Sequence, residues 1–532
     1  MRKVILRDHY KVPPFNEYAR DLRILNKVLW LYQRDVMARH CDTEVVLDDE
    51  DDLKALWTNE ELLVYRDSLF FNSMLLDEFV RRARASGKPC QIAFNKDDKA
   101  ITTHSLHLQD SITLVGEHYR GELYYYPQGY VPSEQLEALV IDTEPLEMGY
   151  YHVPEYLVPS GAFVYQVPLK AFIPIENWIH ILLANTLFGA LGRARRLLKD
   201  SNKLSVKLKI LLRAIIERKR LLSSSALVKV GRGCSIDPTA IIQGPTVIGN
   251  NVKIEAGALI VSSIIGSNVN IMQGAQMVLS VVSDGCYIPF RAALYGTSLM
   301  ENSMVAQNTI LQGSVIGRNT FIGGGSVFTD YNLMGNPIRT MHRGILQEVG
   351  MAACGGAVGH DCRIGAGFVV YPGRTIESGT ILPYEGDHAV IDRDIHYHDV
   401  PQHTTDRYHQ QVTREEDAAN GWSWPPPKPA EGLHDESYTP PVTDIKELNR
   451  ATPAEEPNGS AGTTQTAPPP LGEAESHSAP LPAGQAGRGS ESRSTDPPPT
   501  PPDGRGGQTP PPLGEAGRGS EALTDQEARS SK

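Results

Sequence analysis

The 532-residue chain is long enough for two to four domains, and its 40% hydrophobic residues can fill real cores. A formal charge of −12 argues against a general nucleic-acid binder, so no nucleic-acid partner is expected. Six cysteines scattered without CxxC pairs argue against a disulfide framework or structural zinc, and the start, MRKVILRDHY, lacks the apolar stretch of a signal peptide; a soluble protein of the reducing cytoplasm is expected.

Residues 1–165 alternate short apolar runs with helical spacing. VIL at 4–6, EVVL at 44–47, LLVY at 62–65 and QIAF at 91–94 read as strands. Between them, 27–40 and 73–86 carry apolar residues at helical intervals, the second closed by Gly87. Such alternation predicts an α/β domain. Residues 166–228 read as a linker. Its apolar run 178–191 is too short to span a bilayer and contains His180 and Asn185. Within it, 193–220 hold eleven Lys or Arg against two acids, a net +9, with apolar residues at helical spacing from Leu204 to Ile216. A basic amphipathic helix of this kind can cap an open solenoid end or rest peripherally on an anionic membrane; capping is the expected role.

Residues 229–391 carry the strongest pattern. Ile248, Ile265, Val282, Leu299 and Ile316 are 17 residues apart. So are Ile254, Ile271, Ile288, Val305 and Ile322, and likewise Ile260, Met277, Leu294, Leu311 and Phe328. Each coil thus divides as six, six and five residues, with a small residue (Ala258, Ala275, Ala292, Thr309, Ser326) beside the large one on the second face. One coil precedes on Val230, Ile236 and Ile242; another follows on Val358, Ile364, Val370, Ile376 and Leu382. Roughly eight stacked coils make a prism on the order of 40 Å long. This is the period of a parallel β-helix. It resembles the left-handed β-helix of hexapeptide-repeat acyltransferases, whose resemblance implies that hand and a homotrimer.

The hexad VGHDCR, 358–363, is similar to the (V/I)-x-H-D-C-x-I-G hexad of sugar O- and N-acetyltransferases of the sialic-acid and bacillosamine pathways. That resemblance implies that His360 is the general base for acyl transfer from a coenzyme A thioester such as acetyl-CoA to a sugar or sugar nucleotide. The alternative is a solvated corner residue beside a turn-forming Asp361; either way His360 should point out of the packed interior. Consecutive His360, Asp361 and Cys362 cannot converge on one ion, so no metal site is expected. Residues 329–357 leave the hexad rhythm as an ejected loop of the kind that walls the family's cleft. They bring His342, a second candidate base, and Arg343, a candidate contact for phosphate or carboxylate. Glu348 is the nearby acid able to orient a histidine.

An α/β domain ahead of such a helix resembles the sugar-1-phosphate nucleotidyltransferases, and the pairing resembles the bifunctional uridyltransferase/acetyltransferase of UDP-N-acetylglucosamine synthesis. In VPPFNEYARDLRILNKVLWLYQRDV, Arg20, Asp21, Arg23 and Lys27 fall near that family's substrate-binding positions. The family's Gly-rich phosphate loop is missing, because VILRDHYKVPPFNEYARD has no glycine. The domain is therefore expected to be degenerate. Mg²⁺ would be required only if it were active, with Asp67 and Asp142 as candidate ligands. Residues 392–532 read as a largely disordered Pro/Gly/Ser-rich tail that repeats PPPLGEA and AGRGSE. The function classes in contention are an acyltransferase, a divergent nucleotidyltransferase, and a non-catalytic trimeric assembly protein.

Overall fold

The computed structural model describes residues 1–48, 50–55, 59–152, 162–201, 204–383 and 389–400, so the tail beyond residue 400 lies outside the described residues. The three 17-residue ladders become three parallel sheets of eight short strands each, a left-handed parallel β-helix. Register follows the sequence period: Ile248 pairs Ile265, Ile254 pairs Ile271, and Ile260 pairs Met277. All fifteen marked side chains are buried in one continuous core. The small companions Ala258, Ala275, Ala292, Thr309 and Ser326 are fully buried beside them. Where the companion is polar it is satisfied, since Thr309 Oγ1 donates to the Gly323 carbonyl at 3.1 Å. Each aliphatic side chain so buried contributes roughly 1.5–3 kcal/mol, which is what holds the coils in register.

The pattern resumes without a slip after the ejected segment. Ile316 pairs Val358, so residues 329–357 leave the wall and return to the same column. The first coil differs. Val230 is in register with Ile248 yet 47% exposed, because no coil lies beneath it. The apolar face of the basic helix, now defined as Leu204–Glu217, does not cover that end: Leu204, Leu208, Leu211, Leu212, Ile215 and Ile216 all face solvent. The cap expected from the sequence is therefore not made by this face.

The N-terminal region is an α/β domain on a seven-stranded mixed sheet, as the alternating pattern predicts. Strand Arg2–Leu6 lies between its parallel neighbours Thr43–Leu47 and Leu62–Arg66. The Ser73–Ser86 helix begins under the Asn72 cap and ends at Gly87, whose φ of 64° suits only a residue without Cβ strain. The expected helix over 27–40 is shorter, Leu29–Met37, because Lys27–Val28 pairs with Arg23–Ile24 as a hairpin. The α/β elements run on past residue 165: Phe172–Pro174 pairs with Leu69–Phe71, and the fully buried helix Trp178–Asn185 packs on the prism wall. Among the described residues no helix is long and apolar enough to cross a membrane.

Ile271→Asp would bury a carboxylate with no partner inside the prism and should cost several kcal/mol. Its thermal midpoint should fall well below the parent's; equal midpoints would mean the register is wrong.

Candidate functional site

Along one corner of the prism, residues 14–26 of the N-terminal domain lie like a strap across successive coils. Asn26 Nδ2 donates to the Val282 carbonyl at 3.0 Å, and Arg23 Nε meets Glu301 at 2.7 Å. Arg318 clasps Glu17 through both terminal nitrogens, and Ser378 Oγ donates to the Pro14 carbonyl at 3.0 Å.

This strap decides the state of VGHDCR. Gly359 has no room for a side chain, since a Cβ there would sit 2.4 Å from the Ser378 backbone nitrogen. Asp361, with φ of 58°, is the turn former at the corner and accepts from Asn319 Nδ2 at 3.0 Å, continuing a ladder of corner asparagines. Cys362 points into the core. His360 projects outward from the wall as expected, but it is 2% exposed, sealed by the Phe15 ring at 5.0 Å. The expectation of a solvent-facing histidine is thus corrected: its physical basis, a corner position, is right, and a second domain covers the corner. The Arg318 backbone N–H donates to Nδ1 at 3.0 Å, which leaves the proton on Nε2, facing Glu17 at 3.6 Å. Glu17 is already neutralised by Arg318, so burial dominates and holds His360 well below the usual imidazole range. With one nitrogen accepting and the other protonated, the ring has no lone pair to offer a substrate in this state. Glu348 does not orient it; that acid pairs with Arg339 at 3.3 Å.

The ejected segment builds a different centre. Arg339–His342 and Ile345–Glu348 form an antiparallel hairpin closed by Arg343 and Gly344, whose φ values of 46° and 79° fit a two-residue turn with both residues left-handed. The start of the Trp178–Asn185 helix holds it: Trp178 Nε1 donates to Thr340 Oγ1 at 3.0 Å, and Asn177 Nδ2 to the Met341 carbonyl at 3.0 Å. The turn sets Arg343 against the Tyr10 ring (4.3 Å), with Nε 2.8 Å from Asp110 and Nη2 3.3 Å from Glu176. Glu176 also accepts from the backbone N–H groups of Asp110 and Ser111 and from Ser111 Oγ. His342 is 1% exposed, and neither ring nitrogen has a hydrogen-bond partner. Burial, and then the Arg343 charge, push it down to about 4, so at neutral pH it is an uncharged imidazole. Tyr10 Oη is likewise buried without a partner, and burial raises it to about 12.

Asp110, Glu176 and His342 bring their ligand atoms within 4.8 Å of one another, a spacing that suits a cation. The Arg343 guanidinium already supplies the positive charge there. Sequence reasoning found His342 and Arg343 but not Tyr10, Asp110 or Glu176. The last sits directly before Asn177, the cap of the Trp178–Asn185 helix, and no local pattern marked it. An apolar pocket of about 80 Å³ lies between residues 182–191 and the prism, lined by Leu182, Leu183, Leu187, Leu279 and Met351, with Asp330 among them. Burial raises the Asp330 carboxyl.

The remaining expected substrate contacts are engaged elsewhere. Arg20 Nη1 holds the Asp8 carbonyl and, at 3.1 Å, the Asp67 carboxylate; Asp21 lies 3.7 Å from Arg20; Arg23 belongs to the strap; Lys27 pairs Asp35. They do not converge on one surface. Asp67, at the carboxyl edge of the sheet, also accepts from the Asp8 N–H and lies 3.6 Å from Arg7. Burial still raises it. Asp142 follows a strand three positions away in the sheet, about 14 Å by strand spacing. One carboxylate already neutralised by arginines and another out of reach do not fit a Mg²⁺ site.

No curated protein matches the chain. The bacterial transferase hexapeptide family (six repeats) matches residues 228–261, the first coils of the prism. Among solved structures, the Arabidopsis UDP-N-acetylglucosamine acyltransferase is 13% identical, with 29% of this chain and 57% of that one covered and a TM-score of 0.19. The UDP-N-acetylglucosamine acyltransferase from Campylobacter jejuni is 16% identical, with 36% and 84% covered and a TM-score of 0.21. The match spans little more than half of the Arabidopsis protein's length.

Four buried histidines, His104, His180, His342 and His360, are held below the imidazole range chiefly by burial. Each is neutral when folded but protonates near pH 6.5 when unfolded, so folding stability is full above that pH and is lost as pH falls below it. Each site loses roughly 1.4 kcal/mol per pH unit down to its folded value. Denaturant midpoints should therefore be level above about pH 6.5 and drop steeply from there toward about pH 4. A flat profile would place these rings in contact with water.

Proposed function

We propose that the chain is an acyltransferase of the hexapeptide type, moving an acyl group from a coenzyme A thioester to a sugar or sugar nucleotide, with His342 as the base. The observation that carries this reading is the hairpin expelled from the prism wall, which delivers an imidazole free of hydrogen-bond partners beside an arginine at the foot of the α/β sheet. In this reading the neutral imidazole takes the proton of the acceptor hydroxyl or amine as its oxygen or nitrogen bonds to the thioester carbonyl. The tetrahedral intermediate then collapses, and the sulfur leaves with that proton. Arg343, nearly half exposed, exchanges its internal carboxylates for a phosphate of the substrate.

A homotrimer is part of the proposal. Phe321 on one outer face, and Phe290 and Ile310 beyond the next corner, are each more than a third exposed, and the proposal places the subunit contact there. The second reading, a non-catalytic assembly protein, is supported by the tied state of His360; it predicts the same trimer without turnover. A divergent nucleotidyltransferase finds less support, given Asp67 locked between arginines.

Thiol release from acetyl-CoA in the presence of amino-sugar or sugar-nucleotide acceptors tests the reading. His342→Ala should lower turnover by roughly a hundredfold when assayed at temperatures where circular dichroism shows the variant folded. His360→Ala should instead lower the midpoint, because it strands the Arg318 N–H and opens a cavity under Phe15. Activity lost only at His360 would return the base to the prism corner; no thiol release from any acceptor would favour the assembly protein. The parent's kcat/KM should be flat above about pH 6 and fall only toward the depressed His342 value. Phe321→Glu should shift the particle mass from trimer to monomer in light scattering, and an unchanged mass would move the interface elsewhere.

A further inference from the structure

The prism, the cleft and the strap leave one prominent surface unused. In the Leu204–Glu217 helix, Val206, Ile210, Ala214 and Glu217 lean toward the protein, with Ala214 buried. The opposite side carries Leu204, Leu208, Leu211, Leu212, Ile215 and Ile216, between 49 and 80% exposed. At 100° per residue these six span an arc of about 140°. Lys209 and Arg213 fall just beyond one margin of that arc, and Lys207 and Arg218 beyond the other. The apolar surface continues at both ends through exposed Leu198, Leu221 and Leu222.

We propose that this helix is a membrane-docking element that lies in the plane of an anionic lipid surface, its leucine and isoleucine face in the acyl boundary and its flanking cations among the headgroups. Charge selects this occupant over a second copy of the chain. Residues 193–220 carry +9, whereas the whole chain carries −12, so the remainder is at −21. Two copies meeting through this face would bring their cations together. An anionic surface instead attracts each Lys or Arg near it and repels the rest of the chain, which orients the protein. An apolar arc with cations at both margins is the arrangement that lets long basic side chains reach headgroups while their stems stay apolar. The proposal does not rest on the acyltransferase reading and survives its failure.

The test is co-sedimentation of the full chain with vesicles of phosphatidylcholine alone or with about a third phosphatidylglycerol, at low and high salt. The expected result is binding to the anionic vesicles only, weakened by salt. Leu208→Gln with Leu212→Gln and Ile215→Gln should reduce it tenfold or more, as should Lys207→Gln with Lys209→Gln and Arg213→Gln, with circular dichroism and thermal midpoint unchanged. Absence of sedimentation with anionic vesicles overturns the proposal. So does binding that survives the glutamine face, which would make the contact purely electrostatic. A drop in particle mass in the leucine variant, with no vesicle binding by the parent, would assign the face to a second copy.

Discussion

The fold depends on one long contact, the strap of residues 14–26 lying along a corner of the β-helix. The prism rises one strand spacing per coil, so a chain laid along its corner meets a new coil every few residues. Asn26, Arg23, Glu17, Phe15 and Pro14 use that geometry, meeting Val282, Glu301, Arg318, His360 and Ser378 in order. The pairing is antiparallel in sequence and polar at nearly every step. Its partly buried ion pairs have few competing waters, and each removed partner would leave a charge stranded. The strap fixes the α/β domain against the prism.

One consequence is that the histidine most conspicuous in sequence is withdrawn from solvent; His342 on the expelled hairpin is buried as well, but with neither ring nitrogen hydrogen-bonded. His360 spends both nitrogens within the contact. His342 is held in place because the hairpin is closed by two left-handed residues and clamped by Trp178 and Asn177. The repeat itself has no concavity, so a segment must leave the wall and a second domain must face it. Arg343 then balances Glu176, a carboxylate that burial alone would make costly, and pairs with the exposed Asp110.

The sequence by itself determined the prism. A 17-residue period with one aliphatic side chain on each face can be satisfied only by stacking, and register follows because a slip of one residue would turn the core column outward. It also placed Asp361 at a turn, and the N-terminal strands and helices to within a few residues. What it left undecided were the contacts between segments far apart in the chain. Glu17 and Arg318 are 301 residues apart, and Glu176 and Arg343 are 167 apart; no local pattern announces either pair. Arg20, Arg23 and Lys27 read as a basic cluster in sequence, yet the hairpin at Arg23–Val28 and the strap send them to Asp67, Glu301 and Asp35. Whether a polar side chain meets a substrate, a salt-bridge partner or another domain depends on which surfaces are brought together, and only the tertiary structure decided that here.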